Sequence, residues 1–526
     1  MIRLFDVVLS LDDGEERLSQ TVADLLGVSP EKITVLRVVK RSIDARRTRP
    51  PRFVCVVDVG LEDEKGVMER AAGGLKIRPA EEPPAAETFP VKRFPDHRPV
   101  VIGSGPAGLF AALTLALRGN PVLVLERGRP VEERVADTAM FWEKGILDSE
   151  SNVHFGEGGA GTFSDGKLTT RVRNRRSEWV KKIFVDLGAP SEILTEARPH
   201  IGTDRLRQVV VGLRRLLLEL GCEIRFNSRV TDIVVHSGRV AGVVVNWREV
   251  IETGNVILAA GQSDVKTYEK LHDLGVRLEP KPFAMGLRVE HPQELINRIQ
   301  YGKWWPHRNL PPAEYFLTAK IPGSGRSVYT FCMCPGGEII GCSSSAGEVV
   351  TNGMSLYRRG GLFANSAVVV NVRVEDFAGD SPLSGMAFRR AWEERAFLMG
   401  GRNYHAPAQR LTDFTAGRKG RDVGPTSFRP GVTHVDLKKV LPPFVCEALR
   451  AGLMMFENKM PGFLTSEAVL VGVETRSSSP VRIVRGEDGQ SVTLRGLYPC
   501  GEGAGYAGGI MSSALDGIRA AEKLLR

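Results

Sequence analysis

Arg98-Pro-Val-Val-Ile-Gly103-Ser-Gly105-Pro106-Ala107-Gly108 carries an apolar strand straight into a Gly-x-Gly-x-x-Gly turn, and the Leu/Ala-rich segment after it reads as a helix. This is the dinucleotide-binding fingerprint in its structural context. Gly103 permits the tight turn, Gly105 removes the side chain that would block a pyrophosphate, and Gly108 lets the helix pack close to the strand. The N-terminal N–H groups and positive dipole end of that helix then point at the phosphates. A second strand, Pro121 to Leu125, delivers Glu126 eighteen residues past Gly108. A carboxylate there is placed to accept hydrogen bonds from ribose hydroxyls and to repel a 2′-phosphate. Arg127 follows it, and Arg134 on the next helix is within reach of a pyrophosphate.

Two later segments bear on which dinucleotide is bound. Thr253-Gly-Asn-Val-Ile-Leu-Ala-Ala260-Gly261 is a continuously apolar strand that ends in small residues, as suits backbone passing close to a cofactor. It follows a helix from Asp204 to Leu220 and a three-stranded meander whose first strand contains Val230. The second segment runs from Leu497 to Gly517. There a strand ends at Gly501-Glu502, a glycine-rich loop contains Gly508 and Gly509, and a helix begins near Ile510. Glu502 is suited to accept a hydrogen bond from a ribityl hydroxyl, and the helix N-terminus to stabilise negative charge on a reduced flavin. A further loop, Gly156 to Gly166, holds five glycines in eleven positions, too many for a helix and suited to hugging a flat ring. Gly159, Gly161, Thr162 and Ser164 are its candidate cofactor contacts. Lys167 just beyond is a candidate to stabilise the anionic reduced ring, and His154 just before is a candidate active-site residue.

These segments resemble the glutathione-reductase class of FAD flavoproteins, in which the chain leaves the FAD domain for a substrate domain and returns at its end to finish the flavin site. More narrowly, Val153–Thr170, Lys281–Gly286, Phe331–Gly337 and Gly472–Pro480 resemble a bacterial family of FAD-dependent dehydrogenases or FAD-dependent proteins, and the likeness spans nearly the whole chain. The resemblance implies non-covalent FAD and an α/β fold: a glutathione-reductase-type Rossmann domain with an inserted α+β substrate or cap domain. The chain departs from the broader class at Glu502, where many members carry Asp. The longer side chain is expected to meet a different flavin hydroxyl.

The rest of the chain fits several domains: 526 residues, 42% hydrophobic and 25% charged, with no apolar run of membrane-spanning length. Residues 1–78 read as a ferredoxin-like α+β module and 79–98 as a Pro/Glu/Ala linker. The FAD domain takes 99–270 and 466–526, and the inserted domain 271–465. The start lacks a basic, apolar and small-residue leader pattern, so a cytoplasmic location is expected. The cysteines are few and scattered, and neither they nor the histidines propose a metal ligand set; Cys332 and Cys334 read as buried structural thiols, with a redox-active pair as the alternative.

Net charge is +9, with seven basic residues in Arg37–Arg52 and seven in Lys167–Lys182. Neither run interleaves aromatics, so the composition argues against nucleic acid as a partner and for solvated faces or anionic ligands. Glu474-Thr-Arg476-Ser-Ser-Ser-Pro480 is a polar loop in which Arg476 is suited to bind a substrate carboxylate or polarise a carbonyl. The function expected is hydride transfer through flavin N5 to or from a small molecule held between the two domains, with Lys167, Arg476 and His154 as catalytic candidates. No second Gly-x-Gly-x-x-Gly sits in a strand-turn-helix setting, so NAD(P)H would be a transiently docking reductant. The alternative is a flavin-bearing RNA-binding or redox-sensor protein. Oligomeric state is left open.

Overall fold

The computed structural model describes residues 1–46, 49–70, 74–80, 92–94, 97–169 and 175–526. Much of the expected linker, and part of the second basic run, lie outside these residues.

Five short parallel strands form the sheet that carries the fingerprint, in the order Leu497–Pro499, Val256–Leu258, Val100–Ile102, Leu123–Leu125, Glu223–Arg225. All but the outermost are apolar on both faces, as a parallel sheet covered on both sides requires. The helix Pro106–Leu117 packs beneath, and the C-terminal helix Ile510–Leu525 packs on it closely enough that a Cβ on Gly517 would stand 2.0 Å from the Ala107 carbonyl oxygen. The meander appears as three antiparallel strands, Val230–His236, Arg239–Val245 and Glu249–Glu252.

A second, mostly antiparallel sheet runs Thr318–Ile321, Arg326–Gly341, Phe363–Val372, Phe283–Pro292, Val469–Glu474, Ala406–Arg410, Val432–His434, with Thr351–Met354 pairing on Arg326–Gly341. The helices Ser384–Gly400 and Pro443–Lys459 lie where the sequence suggests. One boundary differs: Val469–Glu474, read as part of the returning FAD domain, pairs with Phe283–Pro292 and Ala406–Arg410. It is buried at every position, and a continuously apolar run suits either sheet equally. The chain rejoins the first sheet only at Leu497.

The N-terminal residues build a four-stranded antiparallel sheet in the order Ile33–Asp44, Arg52–Leu61, Ile2–Ser10, Ile77–Pro79, with helices Glu15–Leu26 and Glu64–Arg70. Described residues of the first basic run pair here with two carboxylates. Asp44 faces Arg46, Arg49 and Arg52, while Asp58 faces Arg3 and Arg37. Among the described residues no helix is long and apolar enough to cross a membrane.

Candidate active site

The strand ends at Ile102 and the chain turns through Gly103 at φ 98°, where a Cβ would lie 2.5 Å from the Ala259 carbonyl oxygen. Gly108 is tighter still, its missing Cβ 1.9 Å from the carbonyl oxygen of Gly103. Gly105 instead faces space, with only the Gly159 Cα at 3.9 Å. Gly103 and Gly108 are thus glycines for packing, and Gly105 is glycine to leave room.

That room belongs to a cavity of about 730 Å³ between the two large sheets. Its wall includes the fingerprint residues Gly103, Gly105, Pro106 and Ala107, then Glu126, Arg127, Val230, Ala260 and Gly261. It continues over Gly159, Gly161 and Ser164 to Gly501, Glu502, Gly508, Gly509 and Ile510, and takes in His154, Lys167 and Arg476. Gly261, Gly508 and Gly509 have open space where a Cβ would be. A long chamber with glycine walls, a helix N-terminus at Ile510, and the buried polar atoms Ser263 Oγ and His154 Nε2 lacking partners fits an extended dinucleotide with a flat ring.

Glu126 lines the cavity and also holds it together. One oxygen accepts from the Ser104 N–H and hydroxyl, at 2.9 and 2.7 Å; the other accepts from the N–H groups of Gly128 and Gly156, both at 3.0 Å. Arg127 stacks on Phe155 at 3.8 Å and pairs with Glu150 and Asp264, which also face Arg229. Arg229 and Asp264 line this end of the cavity, although the sequence reading did not single them out.

Two expected contacts are corrected. Arg134 does not reach the cavity. Fully buried, it spends all five N–H groups on carbonyls of Asn152, Val153, Gly156, Glu157 and Gly159, and so moulds the glycine-rich loop from behind. Thr162 is also fully buried; its hydroxyl donates to the Glu157 carbonyl at 3.0 Å and its carbonyl accepts from Thr203. The loop coils as a 3-10 turn over Gly159–Phe163, and that turn carries Thr162 to the inner side.

Glu502 accepts a hydrogen bond from Gln262, and burial pushes its carboxyl up to about 7, against the opposing pull of Gln262 and Lys281. Gln262 in turn accepts from Arg389 at 2.8 Å. Arg389 faces Glu393, which is bonded to Arg476 and Thr475, and Arg476 also reaches Glu348 at 2.9 Å. The guanidinium of Arg476 is therefore neutralised from behind by two carboxylates, and burial and positive charge from Arg476 and Arg389 hold His154 well below the usual imidazole range. His154 is a neutral ring with an unpartnered Nε2 on the cavity wall. Gln262, Arg389 and Glu393 escaped sequence reasoning, because an i,i+4 Arg–Glu pair looks like any helix surface; the position of Gln262 directly after Gly261 was the one available signal.

Across the cavity, Lys167 donates to the Met333 carbonyl. Cys334 is buried as expected, but Cys332 lines the cavity. The register slips between Phe331 and Cys334, and Cys332 sits at φ 47°, yet the two side chains still meet. Hydrogen bonding to Cys334, with Lys167 and Arg288 nearby, lowers the Cys332 thiol below the usual range. Arg288 lies fully buried under the wall, in a two-bond pair with Glu474 at 2.9 Å.

Sheet, turn and cavity together define a Rossmann-type flavin-dinucleotide oxidoreductase. The chain belongs to a bacterial family of FAD-dependent oxidoreductases. An uncharacterized protein of Clostridium beijerinckii is 44% identical over 100% of this chain and 98% of its own length. Residues 282–477 match the family model described as FAD-dependent protein, C-terminal domain-like; residues 97–275 match pyridine nucleotide-disulphide oxidoreductase, and 1–60 match a domain of unknown function. The thiamine thiazole synthase of Aeropyrum pernix is 28% identical over 29% of this chain and 44% of its own. The glycerol-3-phosphate dehydrogenase of Bacillus halodurans, solved with FAD, covers 82% of this chain and 65% of its own at 12% identity, with a TM-score of 0.36.

Proposed function

We propose that this FAD-dependent oxidoreductase passes a hydride between the flavin and a small molecule held between its FAD and inserted domains. The observation that carries this reading is the continuity of the cavity. One chamber runs from the fingerprint glycines to Thr330, Phe331, Cys332 and Met333 on the facing sheet, long enough for a cofactor and a second ligand. FAD, bound non-covalently, supplies the hydride-accepting or hydride-donating ring nitrogen N5.

The chain's own residues orient and tune. The N-terminus of Ile510–Leu525 offers N–H donors for negative charge on the ring, and Lys167 adds a cation nearby. Glu502, coupled through Gln262 to Arg389, is suited to hold a ribityl hydroxyl. His154, neutral and with one nitrogen free, is suited to accept a proton from a substrate or return one. In this reading Arg476 helps keep His154 neutral rather than grasping substrate, because its charge is already matched by Glu393 and Glu348.

The same reading keeps a glutathione-reductase-type plan, with the first FAD segment at 99–270, the inserted domain extended to Glu474, and the second FAD segment after it. The strand order of residues 1–80 supports a ferredoxin-like module. NAD(P)H is a candidate reductant that docks transiently. Anaerobic mixing of the flavin-loaded protein with NADH or NADPH, followed at the flavin absorption band, tests this. Bleaching by either nicotinamide is expected, with flavin content retained. If neither nicotinamide nor a panel of small reductants bleaches a flavin that dithionite does reduce, the reading fails.

A further inference from the structure

The hydride-transfer reading leaves unused the two thiols of Cys332-Met-Cys334, on the strand Arg326–Gly341 that forms part of the facing wall. All seven cysteines are free, and burial pushes the thiols of Cys55, Cys222, Cys342, Cys446 and Cys500 up, away from thiolate. Cys332 and Cys334 differ because they have each other. Cys332 is partly exposed and lines the cavity, Cys334 is buried, and a hydrogen bond joins their side chains.

Two residues apart on a strand, Cα atoms stand about 6.6 Å apart, near the upper end of the roughly 4.4–6.8 Å that a disulfide spans. The strand bulges at this point: Phe331 pairs with Ala367 and Cys334 with Asn365, three steps against two, and a bulge bends its strand. Positive charge gathers around Cys332. Lys167 donates to the carbonyl of neighbouring Met333, and Arg288 donates to the Cys332 carbonyl at 3.3 Å. The bond from Cys334, helped by Lys167 and Arg288 against the cost of burial, favours thiolate on Cys332, while the proton stays with Cys334. A thiolate facing the chamber with a thiol beside it to close the bridge is the arrangement that a dithiol centre requires.

We propose that Cys332 and Cys334 are a redox centre that closes and opens a disulfide by exchanging two electrons with the flavin bound in the same cavity. On closing, the Cys332 thiolate and the Cys334 thiol form the S–S bond and lose one proton and two electrons, all of which pass to oxidised FAD to give the anionic reduced flavin; on opening, the same electrons and proton return. A thiolate-stabilised dithiol makes its disulfide oxidising, so electrons are expected to run from reduced flavin into the bridge. The inference goes beyond the hydride-transfer reading and rests only on its flavin.

The test starts from FAD-loaded protein oxidised with diamide and freed of reagent. It is illuminated anaerobically with EDTA, which reduces the flavin directly, then denatured and alkylated, and the alkylated cysteines are located by fragmentation mass spectrometry. Before light Cys332 and Cys334 should be blocked as one bridge; after light and a dark interval their alkylation should rise at least about tenfold. Dithionite should deliver about four electrons per flavin to the oxidised parent and about two to Cys332→Ser or Cys334→Ser. If either variant lost its flavin, the thiol map of the parent alone would decide. A bridge that never forms, that joins another pair, or that survives beside a bleached flavin would overturn the inference and leave the hydride-transfer reading standing. That reading falls instead if nicotinamides and small reductants fail to bleach the flavin, a result on which the thiol map does not depend.

Discussion

Glu502 is the residue at which burial and function pull against each other. Held up to about 7 from an ordinary value of 4.5, its carboxyl keeps a proton in the folded chain that the unfolded chain has already released. Unfolding therefore releases protons between about pH 4.5 and 7, and this residue's contribution to stability falls as pH rises through that window. At roughly 1.4 kcal/mol per unit, the loss approaches about 3 kcal/mol by neutral pH. Glu502→Gln keeps an acceptor for Gln262 but cannot ionise. The flavin-free variant should match the parent at pH 5 and melt higher at pH 8. Glu157, also raised to about 7 by burial, stays in place, so the pH slope should be reduced rather than abolished. Parallel melting curves across that range would show that Glu502 is already ionised and solvated. The sequence names Glu502, which lines the cavity, but its titration could not be read there, because the groups around it come from chain segments far away in sequence.

At the scale of an element, the glycine-rich loop shows what was legible and what was not. Five glycines in eleven positions announced a close approach to a flat ligand, and Gly159 and Gly161 do line the cavity. The same sequence could not say that Arg134, on the helix Val131–Lys144, holds the loop from behind, because an arginine one turn into an amphipathic helix reads equally as solvent-facing. Elements with strong local signals, such as the fingerprint turn and the meander, were legible; the sheet membership of Val469–Glu474 was not, since its partners are fixed by tertiary pairing. Arg134→Met should take a donor from five loop carbonyls, those of Glu157 and Gly156 keeping Thr162 and the Gly159 N–H, and each carbonyl left bare costs on the order of 1 kcal/mol or more. Destabilisation of at least about 3 kcal/mol and loss of FAD from the purified protein are expected, measured by thermal unfolding and flavin absorbance. Retention of full flavin with an unchanged melting point would mean that the loop holds its shape without the guanidinium.

For the whole molecule, the question is what fixes the two walls of the cavity relative to each other, and the N-terminal module touches both. Its first loop meets the inserted domain, where Asn309 donates to the Leu11 carbonyl at 2.8 Å and His307 faces Asp12. Its edge strand meets the FAD side, where the Arg41 N–H donates to the Thr195 carbonyl at 2.8 Å and the Ala197 N–H returns to the Arg41 carbonyl at 2.9 Å. Thr195 and Ala197 lead directly to Arg198 at the cavity mouth, so this short parallel bridge ties the module to the loop that lines the entrance. Because the Arg41 N–H points outward from the sheet, proline there removes the bond to Thr195 and leaves the bridge with a single bond, while sparing the module's internal ladder, as edge strands tolerate. Arg41→Pro should therefore raise hydrogen exchange at the Ala197 amide by roughly tenfold or more while leaving flavin content intact. An unchanged Ala197 exchange rate would mean that the apolar packing between module and inserted domain holds the walls alone, and that the edge strand merely lies alongside.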